Sequence, residues 1–168
     1  MIAEVVTIGD EVCRGEIVDT NSAYLAAALW DLDVTVGWLT SSRDLAPDMK
    51  DVLTRAAERS DLVLVTGGLG PTLDDLTVDV VAALVGRTPV IDPAAKARME
   101  ERVAKARYVA PNMERQVRIP EGAQVYDNLV GLAPIFEVDL QGTPIICLPG
   151  PPRELRPIFE TLLAARIA

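Results

Sequence analysis

The chain has 168 residues, 49% of them hydrophobic and 24% charged, which is enough for one packed domain and excludes a disordered chain. Its net charge of −9 argues against nonspecific binding to nucleic acid or to an anionic membrane. Histidine is absent, which excludes Ser-His-Asp and Cys-His catalysis and any His-ligated metal. Cys13 and Cys147 are far apart in the chain and read as small core residues, not as a disulfide or a zinc site. No apolar run reaches the ~18 residues of a membrane span, and the N-terminus enters a strand directly, so a cytoplasmic location is expected.

Ala3–Ile8 is a β-branched run and reads as a first strand, broken by Gly9-Asp10-Glu11. Residues through Asp19 read as a loop or short turn. Asn21 then opens a helix with Leu25, Ala28, Leu29 and Leu32 on one face. Val34–Thr40 reads as a second strand, and Ser41–Ala46 as a loop. Pro47 starts a helix with Met49, Val52, Leu53, Ala56 and Ala57 in register. Asp61–Thr66 is a third strand, followed by a glycine-rich loop and a helix from about Leu76 to Val85, closed by Gly86. This β-α-β-α-β-α rhythm predicts a parallel sheet with helices on both faces. Asp92-Pro93 reads as the start of a helix reaching about Arg107, and Pro111–Pro120 as irregular. Gln124–Tyr126 reads as a brief strand. Pro134–Leu140 and Pro144–Leu148 form a hairpin over Gln141-Gly142, and a closing helix runs from Arg153 to Ala165. The fold class is therefore three-layer α/β/α, with a mostly parallel sheet and an antiparallel hairpin near the C-terminus.

The functional signal centres on Asp61–Thr77, DLVLVTGGLGPTLDDLT: an apolar strand, a glycine loop, two acids and a helix start. Backbone amides at Gly67, Gly68 and Gly70 suit an anion. Asp74 and Asp75 suit a divalent cation bridging to phosphate oxygens. The spacing fits neither Walker A nor GxGxxG. In open α/β sheets ligands bind beyond the carboxyl ends of strands. Three loops meet that description: Gly9–Asn21, Gly67–Thr77 and Pro149–Glu154. They bring Asp10, Glu11, Arg14, Asp19, Asn21, Asp74, Asp75, Gly150, Arg153 and Glu154 as candidates. Asp10, Asp74 and Asp75 are the expected metal ligands, and Asp75, Asp74 and Glu154 the expected catalytic groups. The glycines, Thr77, Asn21, Gly150 and Arg153 are expected on the phosphate, with Arg14 or Arg153 as a clamp. Structural alternatives stand beside these. Asn21, Asp75 and Thr77 also read as helix caps, Asp10 and Asp19 as solvated loop acids, and Trp30 and Trp38 as core or interface residues.

GDEVCRGEIVDTN (9–21), TGGLGPTLDDLT (66–77) and LPGPPRE (148–154) together resemble the N-terminal domain of the CinA competence/damage-inducible proteins. That domain belongs to the molybdopterin-binding, MoaB/MogA-like superfamily, and the likeness runs from Ile2 to about Phe159. The resemblance implies a mixed sheet between helices and a homo-oligomer, dimer or trimer. It also implies either metal-dependent ADP-ribose pyrophosphatase activity with Mg, Mn or Co, or adenylylation of molybdopterin beside the acidic loop, where Asp75 matches best. Full-length relatives add a nicotinamide mononucleotide deamidase domain; residues 1–168 are read as a single domain without it. Two segments depart from the family pattern. Gly131-Leu132-Ala133-Pro134-Ile135-Phe136 replaces a GTAPGF-like stretch, and Met113–Val117 replaces an NRKQA-like one.

The expected ligand is thus a small nucleotide or pterin phosphate. Hydrolysis of ADP-ribose to AMP and ribose 5-phosphate is the leading reading. A molybdopterin-binding or adenylyl-transferring protein is the second, and a noncatalytic nucleotide-binding module the third.

Overall fold

The computed structural model describes residues 1–106 and 111–168. Strands β1 (Ile2–Ile8), β2 (Thr35–Ser42), β3 (Leu62–Thr66), β6 (Gln124–Tyr126), β7 (Ile135–Leu140) and β8 (Thr143–Leu148) form one sheet in the order β2-β1-β3-β8-β7-β6. The pairs β1–β2, β1–β3 and β3–β8 are parallel, while β8–β7 and β7–β6 are antiparallel. The antiparallel step follows from chain length: two residues, Gln141 and Gly142, join β7 to β8, and both have positive φ (58° and 93°). That left-handed pair gives the turn the twist of its strands.

Alternation along β3 builds both faces at once. Val63 and Val65 pack with Met49, Leu53, Val78 and Val81, under α3 (Ala46–Arg59) and α4 (Thr77–Leu84). Leu62 and Leu64 face the other way, onto Leu25 and Leu29 of α2 (Thr20–Trp30) and Leu155 of α6 (Pro152–Ile158). A strand buried on both sides must be apolar throughout, and LVLVT is nearly so.

A small lobe stands beside the sheet. It joins β4 (Pro89–Ile91) and β5 (Arg118–Pro120), paired antiparallel, to α5 (Pro93–Lys105) and a 3₁₀ turn, Met113–Val117. Ala95, Met99, Val117 and Leu132 form its core. Asp92 caps α5 as its Asp-Pro signal predicts, accepting from Ala95 N at 2.7 Å. The expected helix end near Arg107 lies outside the described residues, and α5 ends at Lys105.

Several expectations are corrected. Of the loop and short-turn alternatives, Asp10–Cys13 takes the second, as one turn of helix (α1). Strands β4 and β5 escape sequence reading because each is three residues long and its partner is distant. The closing helix is broken by a π turn, Phe159–Leu163, before α7 (Ala164–Ile167). Cys147 is buried, but Cys13 is exposed. Neither tryptophan joins the core: Trp30 is 69% exposed, and Trp38 lies under the Arg59 guanidinium, 4.5 Å from its ring centroid. Arg59 is held there by the fully buried Glu4, to which it donates twice, at 2.7 and 2.8 Å. Among the described residues no helix is long and apolar enough to cross a membrane.

Candidate functional site

A cleft of about 520 Å³ opens beyond the carboxyl ends of β1, β3 and β8. The chain leaves β1 toward β2 on one side and later returns to β3 on the other. The cleft therefore lies where strand order reverses, the position at which helices diverge and leave a crevice. All three expected loops line it.

Asn21 ties them together. Its Nδ2 donates to Gly150 O at 2.7 Å and to Thr66 Oγ1 at 3.2 Å. Asn21 does not cap α2; Asp19 does, accepting from Ser22 N at 2.9 Å and from Ser22 Oγ at 2.6 Å. Asp19 is thus no merely solvated acid. Gly150 shares the lining with Asn21 and Glu154.

The glycine loop is held from below. Gly67 N donates to Leu148 O at 3.2 Å, and Thr77 Oγ1 donates to Gly67 O at 2.8 Å. Thr77 N donates to Gly68 O at 3.1 Å, so both polar groups of this buried threonine serve the loop, and it is absent from the cleft lining. Gly68 has φ +66°, and any Cβ there would collide with Thr77 Oγ1. Among the described residues no acceptor takes the N–H of Gly68, Leu69 or Gly70, and all three residues line the cleft. Successive backbone amides without an acceptor are groups that can cradle an anion.

Asp74 and Asp75 both line the cleft. Asp75 is not a helix cap: its Oδ2 accepts from Thr72 N at 2.9 Å and Thr72 Oγ1 at 2.6 Å, closing a tight turn. Its Oδ1 takes no hydrogen bond among the described residues. Asp10 does not join them. It faces Asp44, with Asp10 N donating to Asp44 Oδ2 at 2.8 Å and Asp44 N to Asp10 Oδ1 at 3.0 Å. Among the described residues no three acids, cysteines or histidines gather closely enough to hold a metal by themselves, so Asp10, Asp74 and Asp75 are not a ready-made ligand set. Arg14 pairs with Glu16 at 3.0 Å, and Arg153 is exposed; neither lines the cleft.

Asp44 is a cleft residue the sequence reading missed. Burial pushes its carboxyl above the usual range. The charges of Asp10, Glu11 and Asp75 add to the shift, and the hydrogen bond from Asp10 N–H opposes it. The signal was available, since Asp44 follows the carboxyl end of β2. Asn128, fully buried, was also missed: its Nδ2 donates to Glu154 Oε2 at 3.0 Å and fixes that carboxylate at the cleft. Gly131 passes so close to Glu154 that a Cβ there has no room. The bulky departures from the family pattern, Leu132 and Ile135, turn away from the cleft into two core clusters, and only Ala133 of that segment lines it.

Residues 4–168 match the family described as a probable molybdopterin binding domain. A CinA-like protein of Anaeromyxobacter sp. (strain Fw109-5) is 42% identical over 166 residues, covering 98% of this chain and 40% of that relative. The chain thus spans well under half the length of that curated relative. The crystal structure of CinA from Thermoplasma acidophilum, a protein of unknown function, superposes with a TM-score of 0.89 at 30% identity, covering 99% of this chain and 98% of that one. MoaB, a molybdopterin biosynthesis enzyme of Thermus thermophilus, shares the fold at TM-score 0.65 and 22% identity, over 99% and 95% of the two chains. The chain belongs to the molybdopterin-binding-domain family, in its CinA-like branch.

Proposed function

We propose that this cleft hydrolyses the pyrophosphate of a nucleotide, with ADP-ribose as substrate and AMP and ribose 5-phosphate as products. One observation carries the reading: three loop amides, Gly68–Gly70, without an acceptor among the described residues, share a cleft with the half-committed carboxylate of Asp75. A pyrophosphate needs donors for its oxygens and a counter-charge beside them.

The donors available for a cation are carboxylates, backbone carbonyls and hydroxyls, without histidine. Such a set suits Mg²⁺, Mn²⁺ or Co²⁺ bound by one or two protein carboxylates, with phosphate oxygens and water completing the shell. It does not suit a cation caged by protein alone. Asp74 and Asp75 are the residues that would hold it. When bound, it supplies charge neutralisation at the phosphates. The chain's own groups do the rest. The 68–70 amides bind phosphate oxygens, and Thr72 keeps Asp75 in place. Glu154, tethered through one oxygen to Asn128, keeps the other to take a proton from water. Asp44, with its raised proton affinity, is a second proton acceptor in the same cleft.

The family description favours a second reading, in which the same loops hold molybdopterin or transfer an adenylyl group to it. A noncatalytic nucleotide-binding role is the third. For either enzyme we propose a cytoplasmic homo-oligomer, in which a partner would cover the open β2 edge that carries exposed Leu39.

The test is an ADP-ribose assay with Mg²⁺, Mn²⁺ or Co²⁺, with and without EDTA, on the wild type and Asp75→Asn. Metal-dependent release of AMP, reduced on the order of a hundredfold or more in Asp75→Asn, supports the pyrophosphatase. No turnover with any metal rejects it and moves the assignment to the pterin reading.

A further inference from the structure

We propose that Arg115 is a positioning residue: its guanidinium holds the turn Thr72–Asp75 closed and so sets where Asp74 and Asp75 stand. The chemical consequence rests on the pyrophosphatase reading, while the strut itself rests on geometry alone.

Arg115 lies in the 3₁₀ turn Met113–Val117, outside the cleft lining. Its Nε donates to Thr72 O at 3.2 Å, and its Nη2 donates to Asp75 O at 3.2 Å. The two carbonyls are the first and last of the acidic turn. Between them stand Leu73, 72% exposed, and the exposed Asp74, neither packed against the core. The turn's other bonds are its own: Asp75 N to Thr72 O at 3.3 Å, and the Thr72 donors to Asp75 Oδ2. A short exposed turn held only by local bonds opens readily. Arg115 supplies an anchor from a separate lobe.

That anchor is itself fixed. Val117, two residues on, is fully buried beside Ala95 and Met99. Arg115 Nη2 also donates to Asp79 Oδ2 at 3.2 Å, on α4. Arg118 grips the same carboxylate at 3.0 and 2.8 Å. A guanidinium is a rigid planar fork and can hold two carbonyls and a carboxylate at once; an ammonium cannot reproduce that spacing.

Arg118 is the internal control. It shares Asp79 and is 20% exposed in its side chain against 24% for Arg115, yet it donates to no atom of the 72–75 turn. Loss of either arginine removes part of the Asp79 ion pair, and loss of Arg118 also removes its Nε bond to Arg115 O at 3.4 Å, but only loss of Arg115 removes the donors to the acidic turn.

The experiment compares Arg115→Met and Arg118→Met in the full 168-residue chain by hydrogen exchange, thermal melting and ADP-ribose turnover. We expect similar drops in melting temperature. Exchange at amides 72–76 should accelerate by about tenfold or more only in Arg115→Met. In that variant kcat should fall on the order of a hundredfold with KM within about threefold, while Arg118→Met stays near wild type. Arg115→Lys should restore melting more than kcat. Equal exchange at 72–76 in the two methionine variants, or full kcat in Arg115→Met, overturns the proposal. A wild type without turnover rejects the pyrophosphatase reading instead, and the exchange comparison then decides the strut by itself.

Discussion

Asn128 Nδ2 donates to Glu154 Oε2 at 3.0 Å, joining a fully buried amide to a carboxylate of the cleft. The same amide donates to Ala133 O at 3.0 Å, and its Oδ1 accepts from Val130 N at 3.1 Å and Gly131 N at 2.7 Å. Every polar position of the Asn128 side chain is used. Asn128→Ala strands several buried groups at once and should cost on the order of 2–3 kcal/mol, read as a lowered urea midpoint at unchanged m-value. Asn128→Asp should be worse at neutral pH, because it sets a second negative charge against Glu154, and should recover as the pH is lowered.

Asp44 gives a pH-dependent prediction. Its carboxyl binds a proton more tightly folded than unfolded. Its contribution is therefore most favourable below the unfolded value of about 3.9, and it is lost as pH rises through the raised folded value. Asp44→Asn keeps an oxygen for Asp10 N–H and removes the charge. Its melting temperature should exceed that of the wild type at pH 7, and the two should converge below about pH 4. A variant no more stable than wild type at pH 7 would show that the shift is absent.

Gly68 and Thr77 should couple. Gly68→Ala adds a methyl that collides with Thr77 Oγ1 at a backbone φ of +66°. The strain of positive φ alone is about 1 kcal/mol, and the collision adds to it. Thr77→Ala alone removes the donor to Gly67 O, at about 1 kcal/mol. In the double variant the clash with Oγ1 is removed and only a tight contact with the Thr77 Cβ at 3.3 Å remains, so the loss should be smaller than the sum of the singles, as a thermodynamic cycle would measure.

Asn21 is predicted to matter for binding more than for stability. Asn21→Ala removes the bonds to Gly150 O and Thr66 Oγ1 but leaves the Asp19 cap of α2 intact. Melting should shift little. Affinity for AMP, measured by calorimetry in the presence of Mg²⁺, should weaken by roughly tenfold as the loops lose register. Unchanged affinity would remove Asn21 from the site.

Much of the fold is legible locally. The alternation of LVLVT, the Asp92-Pro93 cap, Gly86 after α4 and the Gln141-Gly142 turn each act within a few residues, so the chain displays them. Strands β4 and β5 are not displayed, because their pairing joins Val90 to Ile119 with no periodic pattern in either. Reading the site shows the same division. The Gly67–Gly70 loop and the Asp74-Asp75 pair stand out because glycine and paired acids at a strand end are locally unusual. Asp44 and Asn128 do not, because a single acid or amide in a loop is ordinary until its neighbours are known.

The layers, the strand ends and the loops that meet beyond them follow from periodicity and from residues that only certain backbones tolerate. Packing of the elements against one another sets what each polar side chain does. It paired Asp10 with Asp44 instead of with Asp74 and Asp75, and took Asn21 from helix cap to bridge between loops. It also turned Leu132 and Ile135 into the core. Direction is the cause: a hydrogen bond depends on where a partner 34 or 129 residues away arrives, and no local pattern encodes that arrival.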